Sequence, residues 1–229
     1  MKPFFVTATG TAIGKTYVTA GIIRAARLMG NEATGIKPLL SGYNPAAPEA
    51  SDSGALLAAM GKPITEETIA AITPWRFAAP LSPDMAAARE GRSISLRALT
   101  TFCRVAAQAA PGLMLIEGVG GVMVPIETVY TVREWISALE IPAILVAGTY
   151  LGTISHTLTA IEALHARQIE IAAIVLSESE HSPIPNAELA SAIAKFAPRI
   201  QIHTIARDHN EPAFKQLAWA LGQYQLAEL

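Results

Sequence analysis

The sequence is short of cysteine, of charge and of long apolar runs, and each shortage removes a class of function. Its single cysteine, Cys103, rules out an internal disulfide. Cys103 falls on the stripe Leu96, Leu99, Cys103, Ala106, whose spacing matches one helical face, so it reads as a small core residue rather than a catalytic thiol. The five histidines (His156, His165, His181, His203 and His209) form no pair with each other or with Cys103 at a zinc-ligand spacing, which argues against a zinc site. Only 16% of residues are charged, and 17 Lys and Arg against 19 Asp and Glu leave a net charge of −2. No broad field is available to attract nucleic acid or an anionic membrane. No apolar run approaches the roughly 18–20 residues that span a bilayer, and no basic segment followed by an apolar one opens the chain. The expected location is the cytoplasm.

What is present is a substantial apolar fraction: 51% of the 229 residues are hydrophobic, enough for one α/β domain over residues 1–229. Short apolar runs alternate with longer amphipathic stretches, which predicts a mostly parallel sheet covered by helices. Strands are expected over residues 4–7, 34–37, 113–117, 143–147, 172–176 and 201–205. Helices are expected over 15–29, 53–60, 96–109, 132–139, 154–166, 187–196 and 212–221. Residues 42–48 read as a loop over a site, and 74–83 as a second irregular segment. In such sheets ligands bind at the carboxyl ends of the strands, where the motifs below all fall.

The first motif is the run Phe4-Phe5-Val6-Thr7-Ala8-Thr9-Gly10-Thr11-Ala12-Ile13-Gly14-Lys15-Thr16, a strand, a tight loop and a helix start. Gly14 lets backbone approach a phosphate, and the helix N-terminus favours its negative charge. Lys15 can reach the β- and γ-phosphates and the Thr16 hydroxyl can ligate Mg²⁺. The strict phosphate-loop pattern asks for glycine where this chain has Thr9, but the buried strand before the loop and the apolar helix face after it (Val18, Ile22, Ile23, Ala26) restore the reading. Farther along, Leu113-Met114-Leu115-Ile116-Glu117-Gly118-Val119-Gly120-Gly121 sets an acid at the end of an apolar strand, where it can reach a magnesium shell. Lys37 sits before Pro38, which ends the second strand, and offers a second cation near the phosphates. Asp52 is ambiguous by spacing alone, because Ser51 and Asp52 precede a helix and both cap well.

Together these segments resemble the dethiobiotin synthetase family. The resemblance rests on the loop from Thr7 to Thr16, Lys37-Pro38-Leu39-Leu40-Ser41-Gly42, Asp52, Glu117-Gly118-Val119-Gly120-Gly121 and Leu151-Gly152-Thr153-Ile154-Ser155-His156-Thr157, in order over nearly the whole chain. It implies a three-layer phosphate-loop NTPase fold, a homodimer with the substrate site near the subunit interface, and ATP with Mg²⁺. The implied reaction joins CO₂ (or bicarbonate) to 7,8-diaminononanoate and closes a cyclic urea through a carbamic–phosphoric anhydride, giving dethiobiotin, ADP and phosphate. By the same resemblance Lys15 and Lys37 stabilise the transferred phosphoryl group, and Thr16, Asp52 and Glu117 form the Mg²⁺ set. Thr11, Lys37 and Ser41 handle the carbamate and substrate amines, while Leu151, Gly152, Thr153 and Ser155 receive the substrate carboxylate from the neighbouring subunit. The nucleotide is expected against Ala12, Ile13, Gly14, Lys15, Thr16, Tyr17, Asp52, Glu117, Gly118, Val119 and Gly120, with its base near Ser177, Glu178, Ala206, Arg207 and Asp208.

The chain departs from the family's pattern at Ala8, which replaces a usual glycine, at Ala12, where some members carry an acid, and at Ser155, which replaces a common asparagine. Ser177 stands for an asparagine that usually reads adenine, and Ala206 for a common proline, two exchanges that predict relaxed base selection. The main rival reading is a MinD/ParA-type regulatory ATPase. Those proteins carry an extra lysine early in the phosphate loop, where this chain has Gly10-Thr11-Ala12-Ile13. An amidating ligase domain would need a separate amine source, for which the chain has no room.

Overall fold

Strand β1 (Phe4–Ala8) is buried along its whole length and pairs in parallel with β5 (Leu113–Glu117) on one side and β6 (Ala143–Ala147) on the other. The computed structural model describes residues 3–208 and 210–227; His209 and the chain ends lie outside the described residues. Beyond β5 lies β2 (Ala33–Ile36), and beyond β6 lie β7 (Ile171–Ser177) and β8 (Ile202–Ile205), giving the order β2-β5-β1-β6-β7-β8. Every pairing in this sheet is parallel. A strand buried on both faces has no polar side to show, which is why the central strands β1, β5 and β6 are largely apolar in sequence, while the edge strand β8, with His203 and Thr204, is only half-buried.

Successive side chains of a strand point to opposite faces, and β1 uses both. Phe4 meets Tyr224 of helix α9 (Glu211–Ala227), while Phe5 packs edge-on against the buried Trp135 of α6 (Val132–Leu139) at 4.9 Å between ring centroids. Helices therefore cover both sides of the sheet. Helix α1 (Lys15–Leu28) packs against α9 and α2 (Asp52–Ala59), α5 (Leu96–Ala109) against α6, and α7 (Thr153–His165) against α8 (Asn186–Ala194). Cys103 on α5 is fully buried, and burial pushes its thiol up to about 12, in keeping with a core residue. None of the described helices is long and apolar enough to cross a membrane.

The six expected strands and seven expected helices are present, with ends moved by a few residues. Three things differ. A second, two-stranded parallel sheet joins β3 (Leu39–Ser41) to β4 (Trp75–Phe77), and two seven-residue helices, α3 (Glu66–Ile72) and α4 (Pro83–Arg89), flank it. The segment 74–83, expected as irregular, thus holds β4 and opens α4. Strands of three residues are too short to display a period, so tertiary pairing rather than local pattern forms them. Their consequence for the site is direct. The amide of Gly42 donates to the Ala79 carbonyl (3.1 Å) and that of Tyr43 to Phe77 (2.9 Å), tying the residues after Ser41 to those before Pro80.

Candidate active site

The phosphate loop leaves β1 and enters α1 through two residues with positive φ, Ala12 (58°) and Gly14 (103°). Position 9 is not one of them. The Thr9 amide donates to the Val146 carbonyl of β6 at 3.0 Å, so a threonine there needs no unusual backbone. A Cβ on Gly14 would lie 2.6 Å from the Ser177 hydroxyl oxygen, so this glycine also lets the loop press against the end of β7. The glycines after β5 have a similar reason. A Cβ on Gly121 would stand 3.1 Å from Gly10 backbone, and one on Gly118 would strike the ring of Phe5. Close packing accounts for Gly118 and Gly121, and Gly120 takes a positive φ of 58°.

Four charges converge at the strand ends. Lys15 Nζ donates to the carbonyls of Gly120 (2.6 Å) and Gly10 (3.3 Å). Lys37 follows β2 directly and is only 1% exposed. Its Nζ lies 2.8 Å from Glu117 Oε1 and 2.8 Å from Asp52 Oδ2, and donates to the Gly118 carbonyl at 2.7 Å. Thr16 Oγ1 donates to the same Glu117 Oε1 at 2.7 Å. Two cations and two anions thus neutralise each other, with Lys15, Lys37 and Glu117 buried and the Asp52 side chain 38% exposed. Burial, followed by the like charge of Lys37, pushes the Lys15 ammonium down to about 8. Burial works in the same direction on Lys37, but the charges of Glu117 and Asp52 outweigh it and hold the pKa above the usual lysine value. On Asp52 burial works upward, and the charge and hydrogen bond of Lys37 outweigh it, so this carboxyl lies below its usual range.

The question that spacing left open at Asp52 has a clear structural answer. Ser51 is the N-cap of α2, its hydroxyl accepting from the Gly54 amide at 3.0 Å. Asp52 is released from capping and turned toward Lys37. With Thr16 and Glu117 it forms an all-oxygen set of the kind a hard cation prefers, and Glu117 Oε2 is buried without a hydrogen-bond partner. These residues fit Mg²⁺, which binds through one or two carboxylates with phosphate oxygens completing its shell.

A cleft of about 760 Å³ opens over this cluster, lined by Thr11, Ala12, Ile13, Gly14, Lys15, Thr16, Lys37, Ser41, Asp52, Val119 and Gly120. The Ser41 hydroxyl is buried without a partner. The opposite wall is Pro80, Leu81, Ser82 and Pro83, which sequence reasoning did not assign to the site. The paired prolines were the available signal, and the β3–β4 pairing gives them their place. A second cavity of about 470 Å³ holds Tyr17, Ser177, Glu178 and Arg207, and shares Ala12, Ile13 and Gly14 with the cleft. Tyr150, Ser179 and Glu180 also line it and were not anticipated. Ala206 and Asp208 do not line this cavity; the Ala206 carbonyl instead accepts from the Tyr17 hydroxyl at 3.3 Å. Leu151, Gly152, Thr153 and Ser155 line a separate groove at the start of α7, apart from Ser41 and Lys37. Leu151 is 88% exposed.

Comparison with known proteins points to one family. Residues 2–212 match the family described as AAA domain. The chain is 55% identical over 186 residues to the ATP-dependent dethiobiotin synthetase BioD of Acidiphilium cryptum, covering 81% of this chain and 83% of that protein. It is 49% identical over 218 residues to the BioD of Methylobacterium nodulans, covering 93% and 96% respectively. Among solved structures, the cell division ATPase MinD of Pyrococcus furiosus aligns with a TM-score of 0.56 at 14% identity, over 98% of this chain and 100% of that one. At that identity the likeness shows the fold alone, whereas the BioD matches extend over most of both chains, and on them the chain belongs to the dethiobiotin synthetase family.

Proposed function

We propose that this chain, as one ATP-binding domain over residues 1–229, carries out the family's reaction in the cytoplasm. It joins CO₂ to 7,8-diaminononanoate and closes the ureido ring with ATP, releasing dethiobiotin, ADP and phosphate. The observation that carries this reading is the buried Lys37, held at 2.8 Å by both Asp52 and Glu117 beside Lys15, in one cleft with the unpartnered Ser41 hydroxyl. A switch ATPase that only hydrolyses ATP has no use for that hydroxyl.

The polyphosphate lies on the backbone of Ala12, Ile13 and Gly14 with Lys15 and Thr16, and the base extends toward Tyr17, Ser177, Glu178 and the residues 206–208. Lys15, now satisfied by two neutral carbonyls, gains a charged partner when phosphate oxygens arrive. Thr16, Asp52 and Glu117 would hold Mg²⁺, which would neutralise charge on the phosphate oxygens. Thr11 and Ser41 orient the carbamate that one substrate amine forms with CO₂. Lys37 and Lys15 stabilise charge on the phosphoryl group as it passes to that carbamate, giving the carbamic–phosphoric anhydride. The second amine then attacks the activated carbonyl and phosphate leaves. This step is intramolecular, so holding the chain of the substrate in place removes most of its entropic barrier.

Leu151, Gly152, Thr153 and Ser155 open into a different groove from Ser41, which suits a homodimer in which one subunit's α7 start receives the carboxylate of substrate bound to its neighbour. The test of the function is phosphate release from Mg-ATP with and without 7,8-diaminononanoate and bicarbonate, with mass analysis of the product. Release that requires both and yields the cyclic urea is expected. Release indifferent to them would return the chain to the switch-ATPase class.

A further inference from the structure

Tyr150 occupies a position between two cavities. It lines the second cavity with Tyr17, Ser177, Glu178, Ser179 and Arg207, and also the groove at the start of α7. Its placement is built from several sides. Its hydroxyl shares a 2.8 Å hydrogen bond with His156 Nδ1, one turn into α7. The ring is seated over Gly148, where a Cβ would come within 2.7 Å of it and 2.8 Å of Ser179 Oγ. The strand-end segments on either side of the cavity are clipped together reciprocally. The Thr149 amide donates to Ser179 Oγ and the Ser179 amide to Thr149 Oγ1, both at 2.9 Å.

Of the other polar groups of this cavity, Tyr17 and Glu178 are engaged, while Ser177, Glu180 and Arg207 also line it. The Tyr17 hydroxyl contacts the carbonyls of Ala206 and Arg207 and the Asn210 amide group, and its ring packs edge-on against Phe214. A Glu178 carboxylate oxygen accepts the Arg207 amide at 2.9 Å. Among the described residues no asparagine or glutamine side chain lines the cavity to make the paired donor and acceptor contacts of a base edge. Stacking on an aromatic ring needs only a π-face, which every base has.

We propose that Tyr150 is a nucleobase-binding residue, positioned by His156, and that it lets this site accept triphosphates of different bases. The proposal rests on the nucleotide reading given above and adds the residue that contacts the base. Because His156 belongs to α7, the same bond ties the base cavity to the helix start assigned to the substrate carboxylate.

The experiment is calorimetric titration of Mg-ATP, Mg-CTP, Mg-GTP and inorganic tripolyphosphate into the wild type and the variants Tyr150→Ala, His156→Ala and His156→Asn. Loss of a stacked ring is expected to weaken all three nucleotides by about tenfold, from the usual value of base–aromatic stacking. Tripolyphosphate, which has no base, should bind the Tyr150→Ala protein as it binds the wild type. His156→Ala should weaken the nucleotides about threefold, the scale of one exposed hydrogen bond, and His156→Asn, which keeps a polar atom near the Nδ1 position, should restore them. Unchanged nucleotide affinity in Tyr150→Ala overturns the proposal, and so does a loss that tripolyphosphate shares, since that would mark damage to the phosphate loop. Failure of His156→Asn to restore binding overturns the positioning role. A wild type that binds neither ATP nor tripolyphosphate overturns this proposal together with the nucleotide reading. A wild type that binds both but makes no dethiobiotin defeats the functional reading alone, and the variants still decide the role of Tyr150.

Discussion

The phosphate end of the cleft and the start of α7 are built on opposite plans. At the phosphate end Lys37, Glu117 and Lys15 are 1%, 0% and 7% exposed, and both ammonium groups have several partners at strand ends. At the start of α7, Leu151 is 88% exposed and Gly152 caps the helix with a φ of 98° and no side-chain hydrogen bond. The difference separates two kinds of work. Groups that stabilise developing charge act best when fixed in advance in a poorly solvated place. A surface that meets another molecule needs to be open until that molecule arrives. The first kind of site is therefore entangled with stability, whereas the exposed Leu151 of the second is nearly independent of it, although Thr153 beside it is buried and donates to the Gly148 carbonyl at 2.8 Å.

Lys37→Ala should break the comparison hardest, because it strikes both function and fold. Turnover is expected to fall by about 10²–10³-fold, the scale of losing one charge-stabilising donor. The unliganded protein should lose about 3 kcal/mol, because two partly or wholly buried carboxylates lose their nearest counter-charge and keep only Lys15. Denaturation in EDTA and in Mg²⁺ would measure this, with Mg²⁺ recovering part of the stability and little of the turnover. A well-folded variant with near-normal kcat would exclude Lys37 as the phosphoryl-stabilising cation.

Lys15→Met should separate stability from function. The folded pKa of Lys15, about 8, lies below the ordinary lysine value of 10.5. Between those values the unfolded chain binds more protons, so the wild type should gain stability as pH rises through that window. At neutral pH the buried ammonium costs the fold on the order of 2 kcal/mol, allowing for its two hydrogen bonds. The methionine variant is expected to be the more stable protein at pH 7, with the advantage shrinking by pH 10, while binding nucleotide far more weakly. Equal melting points at pH 7 would show that the site is less dry than its burial implies, and unchanged ATP affinity would count against the phosphate loop.

Ser51→Ala is a smaller probe of the same region. Loss of the α2 cap should cost about 1 kcal/mol and let Asp52 drift from Lys37, lowering kcat a few-fold in proportion to how much the cap orients that carboxylate. Full activity with reduced stability would confine Ser51 to the helix.

This pair also shows how much was legible in the sequence. The sheet was readable because its central strands are largely apolar, and Glu117 because an acid at the end of such a strand followed by glycines stands out; a lysine at a strand end is ordinary by itself, and Lys37 took its role from the resemblance. Ser51 and Asp52 could not be told apart, since two good caps in succession carry the same local signal. Only the position of Lys37, brought alongside by the sheet order, distinguishes them. The Pro80–Pro83 wall was hidden for a related reason. Its place depends on β3 and β4, which are too short to announce themselves and form only against each other. The role of Tyr150 was hidden because its hydrogen bond to His156 is a tertiary detail of the turn into α7.

Leu151→Ala should have the smallest effect on the fold and so sharpens the comparison most. A side chain this exposed can be removed for within about 0.5 kcal/mol, and the melting point should not move measurably. If the start of α7 receives the substrate carboxylate across a subunit boundary, Leu151 becomes covered there, and its truncation should raise KM for 7,8-diaminononanoate by about tenfold, the equivalent of roughly 1.4 kcal/mol of lost apolar contact. The kcat should stay unchanged, because binding far from the reacting atoms contributes equally to the ground and transition states. A rise in KM at constant kcat and constant stability is a combination that none of the variants at the phosphate end can produce. An unchanged KM would remove the α7 start from the substrate site and leave Leu151 as ordinary exposed surface.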